Sequence, residues 1–97
     1  MTEVGWTEQA VEDLKAIKAF ISQDSPAYAL AVVRRLYDAV GQLAAFPDSG
    51  RIVPEHGRAD LRELVRPPYR IVYRRHAELV EVLLVFRSSL PLPKMTE

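Results

Sequence analysis

The sequence predicts an α+β two-layer sandwich in which an antiparallel helical hairpin packs on a small, mostly antiparallel sheet, in the order β-α-α-β-β-β. Two amphipathic stretches between residues 7 and 46 predict the helices, and two β-branched and aromatic runs within residues 69–86 predict a hairpin of strands. A chain of 97 residues is long enough for one domain and too short for two. We therefore expect residues 1–97 to form a single domain.

The first segment predicts an edge strand followed by a helix. Residues 3–6 are short and half apolar, which is typical of an edge strand. Thr7 is the predicted N-cap of the helix, whose apolar residues recur every three to four positions as far as Ile21. We interpret Trp6, just before the cap, as an anchor of the core.

A second helix follows after a short break, so that the two form a hairpin. Ser25 is its predicted N-cap, and Pro26 suits the first helical position because the ring fixes φ where the N–H is not needed. We expect this helix to end at Phe46, since Pro47 disfavours helical backbone in the residue before it.

The second half of the chain predicts a loop and three strands. Residues 47–60 contain two glycines and two prolines without periodicity, and loops of this length are frequently functional. Residues 61–65 predict a third strand. In residues 69–74, tyrosine and isoleucine alternate with arginine and valine, which places the arginines on the face opposite the core. Residues 79–86 are apolar except for one glutamate, which predicts a central strand covered on both sides.

Residues 88–97 contain two prolines and no periodic pattern, and we predict an extended, mobile tail or a segment that orders on a partner. We expect that removing residues 90–97 leaves the core folded.

Composition excludes several classes of protein. The net charge is zero, with six basic and nine acidic residues in 1–60 against seven and four in 61–97. The isoelectric point of 6.7 is far from the basic values, above about 9, that are typical of general nucleic-acid binders. No apolar run approaches the roughly 20 residues that span a bilayer, so no membrane partner is expected. The absence of cysteine fits a cytoplasmic location, and two histidines in separate turns predict no metal site and no cofactor.

The second half carries a set of candidate binding residues. The set comprises Arg62, Arg66, Arg70, Arg74, Arg75 and Arg87. Planar guanidinium groups on a rigid sheet suit bidentate binding of carboxylates, which predicts an acidic partner. Any one of them could equally be a solvated side chain, and Arg70 could instead form an internal pair with Glu63 or Glu81. We expect Arg70→Ala to weaken binding without unfolding the chain, and we interpret Arg51 as a brace within the loop.

Four segments of the chain resemble the RelE/ParE superfamily of toxins from bacterial type II toxin–antitoxin systems. They are WTEQAVEDLKAIKAFI, SPAYALAVVRRL, LAAFPDSGRIVPE and RELVRPPYRIVYR, in family order and at family-like spacing. The resemblance implies a toxin neutralised by a cognate antitoxin, ParD-like or similar, which is itself a DNA-binding dimer with a disordered tail. It also implies one of two targets, since the RelE-like branch cleaves mRNA on the ribosome and the ParE-like branch inhibits DNA gyrase.

The residues favour the ParE-like branch. RNA cleavage needs a base, an acid and cations beside the phosphate. Of the positions used by the cleaving branch only Arg70 is matched cleanly, while residues 61–63 offer one arginine and one glutamate and residues 88–91 offer no proton donor of use. We therefore predict no catalytic residues and a gyrase inhibitor acting by protein–protein binding, with plasmid stabilisation as its expected role and no sequence-specific nucleic-acid binding. A RelE-type endoribonuclease and a non-toxic antitoxin-binding relative remain the alternatives.

Overall fold

A computed structural model describes residues 1–95 and confirms the predicted α+β sandwich. In chain order the elements are β1 (Glu3–Trp6), α1 (Glu8–Ser22), α2 (Pro26–Gly41), β2 (Arg51–Ile52), β3 (Leu61–Arg66), β4 (Tyr69–Arg75) and β5 (Leu79–Arg87). The strands form one sheet in the order β1-β5-β4-β3-β2. Only the β1–β5 pair within this sheet is parallel, so the sheet is mostly antiparallel as predicted.

Both helices begin at the predicted caps. The Thr7 hydroxyl accepts a hydrogen bond from the Ala10 N–H, and the Ser25 hydroxyl accepts one from Tyr28 N–H, each at 3.1 Å. The prediction for the end of α2 was wrong by one turn, because the chain tightens into a 3₁₀ turn at Gln42–Ala44. Such tightening satisfies carbonyls that the helix end leaves without partners. Neither helix within residues 1–95 has the length and apolar content needed to span a bilayer.

The main core lies between the helices and one face of the sheet. Its buried residues are Ala10, Val32, Leu36, Ala39, Val40, Leu43, Leu64, Tyr69, Ile71, Tyr73, Val80, Val82 and Val85. The alternation along β4 puts both tyrosines and Ile71 on this face, as the sequence indicated. Trp6 is half-buried against the same core, in agreement with its interpretation as an anchor.

A second, smaller core covers the opposite face of the sheet. It contains Val53, Leu61, Val72, Leu84 and Phe86. The chain after β5 folds back, and Leu92 and Met95 pack against this cluster. The predicted tail is therefore irregular but partly attached within residues 88–95, and its last two residues lie outside the described part of the chain. The central strand β5 is covered on both faces, as predicted.

The loop at residues 47–60 contains a strand that the sequence did not reveal. The two-residue β2 pairs with β3, opposing Arg51 to Glu63 and Ile52 to Arg62. A strand of two residues is too short to show an alternating pattern in the sequence, so only the structure reveals its pairing with β3. This short strand brings the loop over the face of the sheet that carries the arginines.

Candidate functional site

A buried ion-pair network occupies the face of the sheet opposite the helices. Glu63 on β3 and Arg70 on β4 are only 1% and 8% exposed. Arg70 Nε donates to Glu63 Oε1 at 2.7 Å, and the other Glu63 oxygen accepts from Arg51 Nε at 2.6 Å. Glu63 therefore lies between two guanidinium groups, which compensates the cost of burying a carboxylate.

The loop contributes a second carboxylate to the same arginine. Glu55 accepts two hydrogen bonds from the terminal nitrogens of Arg70, both at 2.9 Å, in a bidentate arrangement. The centre of the Phe86 ring lies 5.0 Å from the guanidinium carbon, in cation–π contact. Arg70 is thus held by two carboxylates and an aromatic face.

This pairing shifts the ionisation of both partners. Hydrogen bonds from Arg70 lower the pKa of Glu55 to about 2 from its ordinary value of 4.5. The bond to Glu55, and then that to Glu63, raises the pKa of Arg70 although burial opposes the change. Both Glu55 and Arg70 are consequently charged across the range in which proteins function.

Two further arginines tie the loop to the sheet. Arg62 donates to the carbonyl oxygens of Gly50 at 2.9 Å and Ala59 at 3.0 Å, and its Nε lies 3.8 Å from an Asp48 carboxylate oxygen. Arg75 Nε donates to the same Asp48 oxygen at 3.2 Å. These contacts fix both ends of the loop against β3 and β4.

Tyr73 anchors the start of the loop from the side of the helices. Its hydroxyl donates to the Pro47 carbonyl at 2.8 Å and accepts from the Gly50 N–H at 3.0 Å. Burial raises the pKa of this hydroxyl, so it stays protonated. A Cβ added at Gly50 would stand 2.7 Å from both the Glu63 carbonyl oxygen and the Tyr73 hydroxyl, so the backbone fits here only without a side chain.

Comparisons with known proteins decide the family. Residues 4–89 match the family described as the ParE toxin of the type II toxin–antitoxin system parDE. The chain belongs to the ParE toxin family. A protein of Caulobacter vibrioides named Toxin RelE2 is 41% identical over 90 residues, covering 92% of this chain and 98% of the relative. A solved structure described as a chromosomal ParDE TA system from P. aeruginosa contains a chain with a TM-score of 0.72 and 26% identity, over 90% of this chain and 96% of that one.

The predicted binding arginines of the toxin fall into two groups according to their contacts. Arg62, Arg70 and Arg75 use their donors within the chain, so the expectation that Arg70 is an available donor on an open surface is corrected. The alternative prediction, that Arg70 pairs with Glu63, is confirmed. Arg70 does not pair with Glu81, which was the other carboxylate considered. Sequence reasoning missed the role of Glu55, because nothing in the loop predicts its position over β4.

The remaining predicted arginines have other surroundings. Arg66 is half-exposed and donates to the carbonyl oxygen of Val65 at 3.0 Å, while Arg87 is exposed at the end of β5. Arg74 is half-buried on the arginine face and has partners within the chain. Arg51 pairs with Glu63 in the network, which agrees with its interpretation as a brace. Whether any of these arginines contacts another protein stays a prediction.

The helical side of the toxin carries an apolar groove. The rings of Trp6 and Tyr37 are stacked, 6.0 Å between centres and 9° between planes. Together with Val11, Leu14 and Val33 they line a cavity of about 340 Å³ that opens between the helices. Tyr37, interpreted from the sequence as an edge packing residue, is 59% exposed.

Residues 1–95 provide no cluster of three side chains suited to holding a metal ion.

Proposed function

We propose that this toxin inhibits DNA gyrase by protein–protein binding and is neutralised by a cognate antitoxin. The proposal rests on one observation above all, the engagement of Arg70 with Glu63 and Glu55. Arg70 is the single position that matches the RNA-cleaving branch cleanly, and a phosphate could reach its terminal nitrogens only by displacing a bidentate carboxylate. The arrangement supports a structural role for Arg70 and disfavours phosphate binding there.

The network also provides no useful base for RNA cleavage. A general base works best when its pKa lies near the operating pH. The pKa of Glu55 is lowered to about 2, which makes it a very weak proton acceptor near neutrality. Glu63 is buried between two arginines and lies out of reach of solvent.

The apolar surface of the helices supports a tightly bound antitoxin. Large exposed apolar side chains on or beside the helices include Val11, Phe20, Tyr28, Leu30, Tyr37 and Phe46. Grouped apolar patches mark protein interaction sites, and permanent interfaces are the more apolar ones. The related P. aeruginosa structure is described as a ParDE system, which supports an equivalent pairing here. We place the antitoxin, a DNA-binding dimer with a disordered tail, across the helical hairpin and the sheet of a cytoplasmic toxin.

A RelE-type endoribonuclease is the second candidate, because the relative that shares 41% identity carries the name Toxin RelE2. A non-toxic relative that only binds antitoxin is the third. The three differ in what the antitoxin-free chain does, so they can be separated with purified components.

The test combines two assays on the antitoxin-free chain. Supercoiling of relaxed plasmid by gyrase is measured with increasing toxin, and cleavage of a reporter mRNA is measured in a ribosome-dependent translation reaction. We expect supercoiling to stop and the mRNA to remain intact, with activity restored by the antitoxin from the same operon. Cleaved mRNA with normal supercoiling would establish the second candidate, and no effect in either assay would establish the third.

A further inference from the structure

Four arginines from three different elements gather at one end of the toxin. Arg34 and Arg35 lie on α2, Arg66 ends β3 and Arg87 ends β5; we call this group the basic end. In the sheet, Arg66 and Arg87 are the two register partners of Tyr69, one on each side. The turn between β3 and β4 connects them to the helix.

Contacts across that turn bring the helix and the sheet together. Arg35 donates to the Pro67 carbonyl at 3.3 Å, and the N–H of Ser88 donates to the Pro68 carbonyl at 2.7 Å. Arg34, Arg35 and Arg66 line one open cleft of about 470 Å³. Three of the four arginines therefore share one cleft, and Arg87 lies at the same end of the sheet, on the other side of Tyr69 from Arg66.

The charges of the basic end are not compensated within the described chain. Among residues 1–95, none of its four arginines forms an ion pair, and the contacts of Arg35 and Arg66 are to backbone carbonyls. Asp38 is the one acidic side chain that lines the cleft. Arg34, Arg35 and Arg87 are exposed and Arg66 is half-exposed, so the donors face solvent.

We propose that the basic end is the surface with which the toxin docks on an acidic protein surface of its target, an inference that rests on the proposed function. Planar guanidinium groups match carboxylates in bidentate geometry. Charged surfaces accelerate association and suit transient partners, whereas a permanent partner buries apolar surface such as the helical groove. The apolar groove and the basic end therefore differ in chemistry, although α2 contributes residues to both.

Carboxylates fit this surface better than the phosphates of nucleic acid. Asp38 lies in the cleft beside Arg34, Arg35 and Arg66 and reduces its positive charge, which weakens the attraction for a densely charged phosphate backbone. The chain as a whole has zero net charge, which gives little attraction for a polyanion. The occupant we infer is an acidic segment or patch of the target protein.

The test uses charge reversal at two exposed sites that hold no internal ion pair. The variant R34E/R87E is compared with K15E/K18E, which changes net charge equally at exposed positions of α1 and removes only the exposed pair between Lys15 and Glu12. We expect R34E/R87E to need at least about tenfold more toxin to half-inhibit supercoiling, while K15E/K18E stays within about twofold. Inhibition by the wild type should also weaken as salt rises.

Several results would overturn the inference. One is equal inhibition by R34E/R87E and the wild type; another is an equal loss in K15E/K18E, which would indicate a general charge effect. A third is tight binding of duplex DNA by the wild type in the absence of gyrase, if R34E/R87E loses this binding. That result would show that phosphate is the ligand.

A growth assay separates this inference from the proposed function. Each variant is expressed without antitoxin, and arrest of growth is scored. If the wild type arrests growth without inhibiting gyrase, the proposed function is wrong, and loss of arrest in R34E/R87E but not in K15E/K18E still supports the docking surface. Arrest by R34E/R87E at the same expression level that the wild type needs would overturn it.

Discussion

The arginines around the loop at residues 47–60 and those of the basic end are the same residue type in opposite situations. Arg70 is 8% exposed and is held by two carboxylates. Arg87, at the end of β5, is exposed and forms no ion pair among residues 1–95. Both lie on neighbouring strands and in similar sequence settings. The two project from opposite faces of the sheet, and only the face of Arg70 carries the paired carboxylates of Glu63 and Glu55.

This contrast shows why arginine content alone does not locate a binding surface. A buried guanidinium with its carboxylates positions a segment of the chain, and its removal leaves a buried carboxylate with less compensation. An exposed guanidinium contributes little to stability but stays available to a partner. The two groups should therefore separate cleanly when stability and activity are measured on the same variants.

The largest effect is expected for Arg70→Ala. It leaves Glu63 buried with Arg51 as its remaining partner and releases Glu55, so we expect a loss of about 3 kcal/mol in unfolding free energy. In a domain of this size that loss lowers the Tm by roughly 10 °C or more. Thermal and urea unfolding measure it. This expectation replaces the one from sequence, in which the fold was to remain unaffected.

Arg87→Ala is the matched control for that variant, because it removes the same side chain from the basic end. Its unfolding free energy should lie within about 0.5 kcal/mol of the wild type. Equal stability of the two variants would show that the ion-pair network does not hold the loop in place.

Gly50→Ala should be the next most destabilising change, by about 1–3 kcal/mol. The new Cβ would stand 2.7 Å from a backbone oxygen of Glu63, and backbone cannot move aside as a flexible side chain can. Gly41→Ala is the control, since a Cβ at the end of α2 meets nothing within 4 Å. Urea unfolding of both variants measures the difference. Equal unfolding midpoints would contradict the close approach at Gly50.

Ending the chain after Ser89 should cost less, about 1–2 kcal/mol, because it uncovers the smaller core where Leu92 and Met95 are only half-buried. We expect the core to stay folded, which keeps the prediction from the sequence, but with a lower Tm. The double substitution L92S/M95S keeps the chain length and should reproduce most of the loss. A truncated chain as stable as the wild type would show that apolar packing does not attach this segment.

The smallest effect is a change in acid stability on Glu55→Gln. The pKa of Glu55 is lowered in the folded chain, so its contribution is complete above about pH 4.5 and is lost as the pH falls towards about 2. The stability difference between wild type and variant should therefore shrink over that interval. Urea unfolding at several pH values measures it, with Glu78→Gln, an exposed carboxylate in the β4–β5 turn, as control. A difference that stays constant down to pH 2 would contradict the pairing with Arg70.

The sequence predicted the elements well and the site only in part. Caps at Thr7 and Ser25 and the alternation along β4 were correct, because each depends on residues close together in the chain. The 3₁₀ turn after α2 and the two-residue β2 were not visible, since the first depends on how the helix end packs and the second on a partner strand. Glu55 could not be placed at all, because it lies in a loop without period and meets Arg70, 15 positions later, beyond the whole of β3.

Sequence by itself determined the class of fold, the face of the sheet that carries Arg70 and Arg74, and the resemblance to a toxin family, all through local periodicity and ordered motifs. The tertiary structure decided which arginines are paired with carboxylates inside the chain and which are exposed. Charge pairing depends on distances of a few ångströms between segments far apart in the chain. The fold of the loop sets those distances, and the identity of the residues does not.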